Sequence, residues 1–230
     1  MYIDHSVITM LHSNQHIWQK GIALNLSIWS GKNDVQPIWD IVAQQIWPIF
    51  AAHIRQLDIP NGDLDNLRHL ISPTILTDLD QLNAINSGHL VPDMDGDDGP
   101  YATAGQALSK WLHTPKNDDG QPKRLRCRFT SGYDSEAKEW INDFKETFSR
   151  ATASASYKIE LIHFNATQIK PFELVNERTN EKLTVEKGPF HSWWIMKRCP
   201  IIVGETAPAD QWKEHLEDNL VDVTFSLNGV

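Results

Sequence analysis

Cysteine is scarce, positive charge is in deficit, and no apolar run is long enough to cross a bilayer. Each shortage removes a class of protein. The two cysteines among 230 residues, Cys127 and Cys199, leave no disulfide framework. Both sit in apolar, strand-like contexts and are expected as buried thiols of a reducing compartment. Lys and Arg number 21 against 30 Asp and Glu, a net charge of −9. That balance argues against a general nucleic-acid or anionic-membrane binder, because both need clustered positive charge to displace counterions. The opening Met1 to Met10 lacks the basic-then-apolar order of a secretory signal. An intracellular chain, cytoplasmic or nuclear, is therefore expected, with no nucleic-acid and no membrane partner.

Catalytic signatures are missing as well. There is no Gly-rich phosphate loop of either familiar pattern and no Gly-x-Ser-x-Gly elbow. Asp93, Asp95 and Asp97 begin like a calcium loop, but Asp98 stands where the sharp-turn glycine belongs and Ala104 where the bidentate glutamate belongs. This reads as a solvated acidic loop. His12 and His16 are spaced to share a helix face, yet no Cys or carboxylate follows at zinc spacing, so they read as surface histidines. Cys127 is flanked by Arg126 and Arg128, but strand alternation sends those arginines to the opposite face, leaving a packed thiol. No catalytic residue, metal ion or cofactor is expected.

What is present is a rhythm. With 40% apolar residues the chain can bury a sizeable core. Short β-type runs begin at Ile22, Ile54, Leu82, Leu125 and Tyr157, roughly thirty residues apart, each led in by a helix-like segment. In the first lead Pro37 suits an opening turn, Asp34 is its candidate cap, and Trp39, Val42, Ile46 and Ile49 follow helical spacing to a stop or bend near Pro48. Leu64, Leu67 and Ile71 mark the next, and Ser72-Pro73 a capped restart. Ala107, Leu108, Trp111 and Leu112 mark a helix with Thr103 as candidate cap. The stripe Ala137, Trp140, Ile141, Phe144 and Phe148 marks the clearest amphipathic helix. Past Tyr157 the pattern turns to a hairpin over 171–186, a strand from Trp193 to Cys199, a short helix near 210–218, and the alternating Val221 to Leu227. The expected fold is α/β: irregular leucine-rich-like strand-helix repeats over residues 1–164, capped by a C-terminal antiparallel sheet over residues 165–230, in one continuous domain.

Two features are candidate binding residues. Arg124, Arg126 and Arg128 project to one face of their strand while Leu125, Cys127 and Phe129 project to the other. The plain reading is the solvated side of a half-buried strand. The sharper one is an arginine ladder that docks an acidic or phosphorylated segment. Phe190, Trp193 and Trp194 form the second candidate, since exposed aromatics anchor partners, with core packing as the plain reading. The adjacent tryptophans cannot both face inward from one strand.

Several blocks then carry a resemblance: Ile46 to Phe50, Ser72 to Leu76, the run Ala104-Gly-Gln-Ala-Leu-Ser-Lys-Trp-Leu-His-Thr-Pro115 with Gln121 to Lys123 after it, Pro171 to Leu174, and Arg198 to Pro200. In order and across nearly the whole chain, they resemble the region that follows the F-box in a large family of F-box domain proteins of plant-parasitic cyst nematodes. The Gly-Gln-Ala-Leu-Ser-Lys-Trp-Leu block is the most specific. The resemblance implies a protein-protein interaction domain, the substrate-capture half of a ubiquitin ligase receptor, holding an unidentified substrate protein. The chain is expected to enter the family pattern inside the associated region, without the F-box itself, so a Skp-type adaptor is expected as a partner only where an upstream F-box exists. No substrate-contacting residue follows from the resemblance. The alternatives are a hydrolase or transferase with an unrecognised His/carboxylate site, and a secreted host-directed effector.

Overall fold

A computed structural model describes residues 5–29, 36–59, 63–115, 122–129, 134–162, 170–190, 192–201 and 221–228 of the chain. Its centre is one nine-stranded mixed sheet. The strands are β1 (Ile22–Trp29), β2 (Ile54–Ile59), β3 (Ala84–Gly88), β4 (Lys123–Arg128), β5 (Tyr157–Ile162), β6 (Phe172–Asn176), β7 (Glu181–Lys187), β8 (Trp193–Pro200) and β9 (Val221–Asn228). They lie in the order β6-β7-β8-β5-β4-β3-β2-β1-β9. Strands β1 to β5 are parallel neighbours in chain order, and β8, β7 and β6 add to β5 antiparallel.

Parallel neighbours need crossovers, and the helices supply them. Helix α1 (His5–Ser13) precedes β1, and the crossovers hold α2 (Gln36–Ile41), α3 (Trp47–Phe50), α4 (Leu64–Leu70), α5 (Ile75–Asp78), α6 (Ala104–His113) and α7 (Asp134–Arg150). Because each crossover from β1 to β5 advances one strand in the same direction, the helices gather on one side of the sheet. One apolar cluster joins Val42, Ile46, Leu67, Leu108, Trp111 and Phe144 to the inward residues Leu24, Leu57, Ile85, Leu125 and Ile159. Leu183, Val185 and Met196 of the antiparallel strands belong to that same cluster.

Local chemistry explains several elements. Thr103 accepts from the Gln106 backbone N–H at 3.0 Å while the Gln106 side chain accepts from the Thr103 N–H at 2.8 Å, a complete capping box for α6. The carbonyls that end helices are closed by side chains from neighbouring strands. Buried Lys123 donates its Nζ to the carbonyls of Trp111 and Thr114, and Asn176 donates to Phe148 and Ala151 at 2.7 and 2.9 Å. Gly21 sits at φ 101°, where a Cβ would also collide with the Arg55 side chain. The β6–β7 turn uses Asn180 at φ 53°, a region Asn tolerates better than most residues.

The structure departs from the sequence expectation at defined places. Of the stop or bend expected near Pro48, the stop does not occur: the helical run 36–53 passes through a π segment, Val42–Ile46, in which the Trp47 N–H bonds to the Val42 carbonyl. Proline has no N–H and its ring crowds the carbonyl four residues back, and the wider turn absorbs both. Ser72 is not the cap of α5. It stays in the preceding turn with its hydroxyl on Asp78 at 2.9 Å, and Thr74 takes the cap position. Strand β3 starts at Ala84 rather than Leu82. The alternating segment at Val221 does not join an antiparallel meander: β9 pairs parallel with β1 at the opposite edge. Alternation identifies a strand but not the edge it takes. The expected cap Asp34 and the helix near 210–218 lie outside the described residues.

Candidate functional site

Because the helices gather on one side, the opposite side of the sheet carries the outward residue of every strand pair. On β4 the alternation is complete: Lys123, Leu125 and Cys127 are buried, Arg124 and Arg126 are half-buried and Arg128 is exposed. Register then decides what stands beside the arginines. Arg124 pairs with Lys158 of β5, and Lys158 with Lys197 of β8. One step along, Arg126 pairs with Glu160, and Glu160 with Ile195. At the next, Arg128 pairs with Ile162, and Ile162 with Trp193. The structure therefore brings Arg124, Arg126, Arg128 and Trp193 onto one continuous face.

Its electrostatics are uneven. Arg126 Nε donates to Glu160 Oε2 at 2.8 Å, and Lys158 Nζ contacts the other Glu160 oxygen. Burial alone would push the Glu160 carboxyl up; the Lys158 and Arg126 bonds outweigh it and hold the group below its ordinary range. Lys197 meets Glu186 at 2.6 Å. Arg124 and Arg128 have no ion-pair partner among the described residues. Toward β2 the face carries a carboxylate instead: Gln56 and Asn86 both donate to Asp58 Oδ1, at 3.1 and 2.6 Å. Between these halves lies a shallow recess lined by Gln56, Ala84, Asn86, Arg124, Arg126 and Glu160. Ala84 leaves that space, since it stands in the row between Gln56 and Arg124 with only a methyl group.

The aromatic candidates divide. Trp194 faces the core at 3% exposure, so it is a packing residue and cannot anchor a partner. Lys187 lies over its ring. Trp193 faces out, with Phe190 stacked on it at 5.3 Å between centroids and nearly parallel planes. Phe190 is 68% exposed. Gly188 makes room for this pair, because a Cβ there would come within 2.9 Å of the Trp193 ring.

The remaining sites resolve individually. Asp93 accepts from Thr103 at 2.5 Å, Asp97 from the Gly99 N–H at 3.0 Å and Asp98 from Thr77 at 2.8 Å, so these carboxylates staple their own loop. Among the described residues no group of three or more His, Cys, Asp or Glu is placed to hold a metal. Helix α1 ends at Ser13, so His12 and His16 occupy different helical segments. Cys127 is buried and its thiol is pushed up to about 12 by burial. Cys199 corrects the sequence reading: it is half-buried on the open face, because Arg198 takes the inward position beside it.

A cluster that sequence reasoning missed lies on the helix side. Arg198 donates to Glu181 from Nε and Nη2 at 3.0 and 2.6 Å and to the Ala153 carbonyl at 2.7 Å, while Glu181 also accepts from the Ala155 N–H at 2.6 Å. Tyr157 and Arg198 floor a recess that opens past His113, Thr147 and Asp93. Burial lowers the His113 pKa, only partly offset by its bond to the Ser109 carbonyl. The signal in the sequence was a charge at an inward strand position, Arg198 opposite Leu183, but only register shows that Glu181 comes with it. Among the described residues no helix is long and apolar enough to cross a membrane. Comparison of the chain with protein-family models, curated proteins and solved structures found no match to any of them.

Proposed function

We propose that this chain is a protein-interaction scaffold whose open sheet face holds a partner protein, performing no bond chemistry itself. The observation that supports the reading is the single surface formed by Arg124, Arg126, Arg128, Trp193 and Phe190 on a sheet backed by one continuous core. Rigid backing suits recognition, since the binding residues are pre-positioned and little ordering entropy is lost on docking. The units of β1 to β5 are read as irregular leucine-rich-like repeats, and β6 to β8 as their antiparallel cap. With the likeness to the region after the F-box in cyst nematode proteins, the partner is a substrate protein of a ubiquitin ligase receptor. The setting is cytoplasmic or nuclear, and a Skp-type adaptor joins only through an upstream F-box.

The test is affinity purification of the tagged chain from cells with mass spectrometry, run beside an Arg124→Glu/Arg128→Glu variant. Specific partners recovered by the native chain and lost by the variant support the scaffold. Partners retained equally by both, or none, overturn this face as the binding surface. One observation favours a second reading, a hydrolase or transferase: the recess where His113, Tyr157 and Arg198 converge. Turnover of an ester or amide library that vanishes in His113→Ala, with the fold retained, would put that reading first.

A further inference from the structure

We propose that the β4–β5–β8 sector of the open face docks an extended acidic peptide segment, with carboxylates at alternate positions, from the partner protein. This rests on the scaffold reading and names the chemistry of what the scaffold holds. The first ground is a placement that isolated sheets avoid. Arg124, Lys158 and Lys197 stand directly opposite one another on three adjacent strands, with Cβ atoms about 4.5–5.5 Å apart, a spacing at which like charges repel. With Arg126 and Arg128 the sector holds five cations, and among the described residues the carboxylates paired with them are two, Glu160 and Glu186. A chain with 30 acidic residues and net charge −9 has ample means to neutralise such a row. Among the described residues positive charge is concentrated here instead, and a partner of opposite sign relieves the repulsion on binding.

The spread of the charge sets the class of ligand. Arg124, Arg126 and Arg128 repeat every second residue, about 6.6 Å apart along the strand, and side chains at i, i+2 and i+4 of an extended peptide repeat at nearly the same interval. Three successive carboxylates so spaced meet three guanidiniums, whereas one compact phosphate reaches only part of the array. Guanidinium forks take carboxylates bidentately. Both edges of β4 are already hydrogen-bonded to β3 and β5, so the segment lies across the face on side chains rather than adding a strand. The row Arg128–Ile162–Trp193 leads to the Phe190 stack, which receives an apolar residue flanking the acidic stretch.

The test is fluorescence anisotropy of the full chain with a labelled ten-residue peptide carrying Glu at alternate positions and a terminal Phe. Expected are saturable binding that weakens with added salt, no binding of the Glu-to-Gln peptide, and a loss of roughly tenfold or more in Arg124→Gln/Arg128→Gln. A thermal melt checks that the variant folds; Lys197→Gln, with the smaller loss expected of a paired lysine, is the second variant. Absence of saturable binding, equal binding by both variants, or binding only of a peptide with a single phosphoserine would overturn the proposal. If the acidic peptide fails while cellular partners are still lost in the face variant, the carboxylate chemistry falls and the scaffold stands. Failure of both removes the scaffold reading.

Discussion

The two faces of this sheet are made by the same strands in strict alternation, yet they handle charge in opposite ways. On the helix side the buried ion pair of the strands is closed by hydrogen bonds. Arg198 and Glu181, 2% and 0% exposed at their side chains, are closed by the Ala153 carbonyl and the Ala155 N–H. On the open side charge is frequent and only partly matched, so Glu160 answers two cations while Arg124 and Arg128 have no ion-pair partner among the described residues. A buried charge must be satisfied within the fold because desolvation is costly, whereas a solvated one can be left for a partner. The contrast separates what holds the chain together from what it presents.

The largest way to break the comparison is to remove one inward carboxylate. Glu181→Ala leaves the Arg198 guanidinium buried without its counter-charge and is expected to cost about 3–5 kcal/mol. On the same strand, Glu186→Ala removes the exposed partner of Lys197 and is expected to cost at most about 1 kcal/mol. Urea denaturation of both variants decides it. Equal losses would show that the open face is as much a structural layer as the covered one.

Neighbouring residues on β4 give the next contrast. Leu125, fully buried, is expected to cost about 2–5 kcal/mol on substitution by Ala, through lost transfer energy and the cavity left behind. Arg124→Ala is expected to change stability by less than about 0.5 kcal/mol. A slight gain would be informative, since it would measure the repulsion from Lys158. Thermal melts of the two variants suffice.

Much of this contrast was legible in the sequence, because it is local. Period-two alternation assigned the sides of Arg124, Arg126 and Arg128 and separated the two tryptophans. The Thr103 cap and the α6 stripe followed from helical spacing. What was illegible depends on register and on which strands meet. The row Arg124–Lys158–Lys197 needs two pairings that no local pattern specifies. The place of β9 beside β1 is set by a distant edge. Cys199 looked buried because its neighbours are apolar or charged in no clear alternation, and only the inward bond of Arg198 fixes its side. The π segment before Pro48 trades one hydrogen-bond register for another, and apolar spacing does not record that exchange.

The two cysteines sharpen the comparison without energetics. Cys199 on the open face is expected to react with a thiol reagent in the native chain, while Cys127, with its thiol pushed up to about 12 by burial, reacts only on unfolding. One equivalent of label under native conditions and two in denaturant is the expected count from the chain's two thiols. Two fast equivalents in the native chain would mean that the helix-covered face opens.

The smallest effect is a pair of opposed pH dependences, one from each side. On the open face the Glu160 pKa is depressed, so its contribution is present above its unfolded value and is lost as acid takes pH down through the folded one. On the helix-bearing side Asp63, before α4, is raised from 3.8 to about 6, by burial first and against an Asn66 hydrogen bond. Its protonated form suits the fold better. That contribution is complete below about 3.8 and disappears as pH rises through about 6. Asp63 is half-exposed, so solvent screening keeps the change to about 1 kcal/mol or less. Asp63→Asn sacrifices no cap hydrogen bond, since the Asp63 side chain makes none to α4, and is expected to flatten the decline in urea midpoint between pH 4 and pH 6.5. Glu160→Gln is expected to leave that decline intact and remove instead part of the loss below pH 4.5, the ordinary value of this carboxyl. Identical pH profiles for both variants would mean that the two faces do not differ in how they carry charge, and the division between structural and presented charge would fall with them.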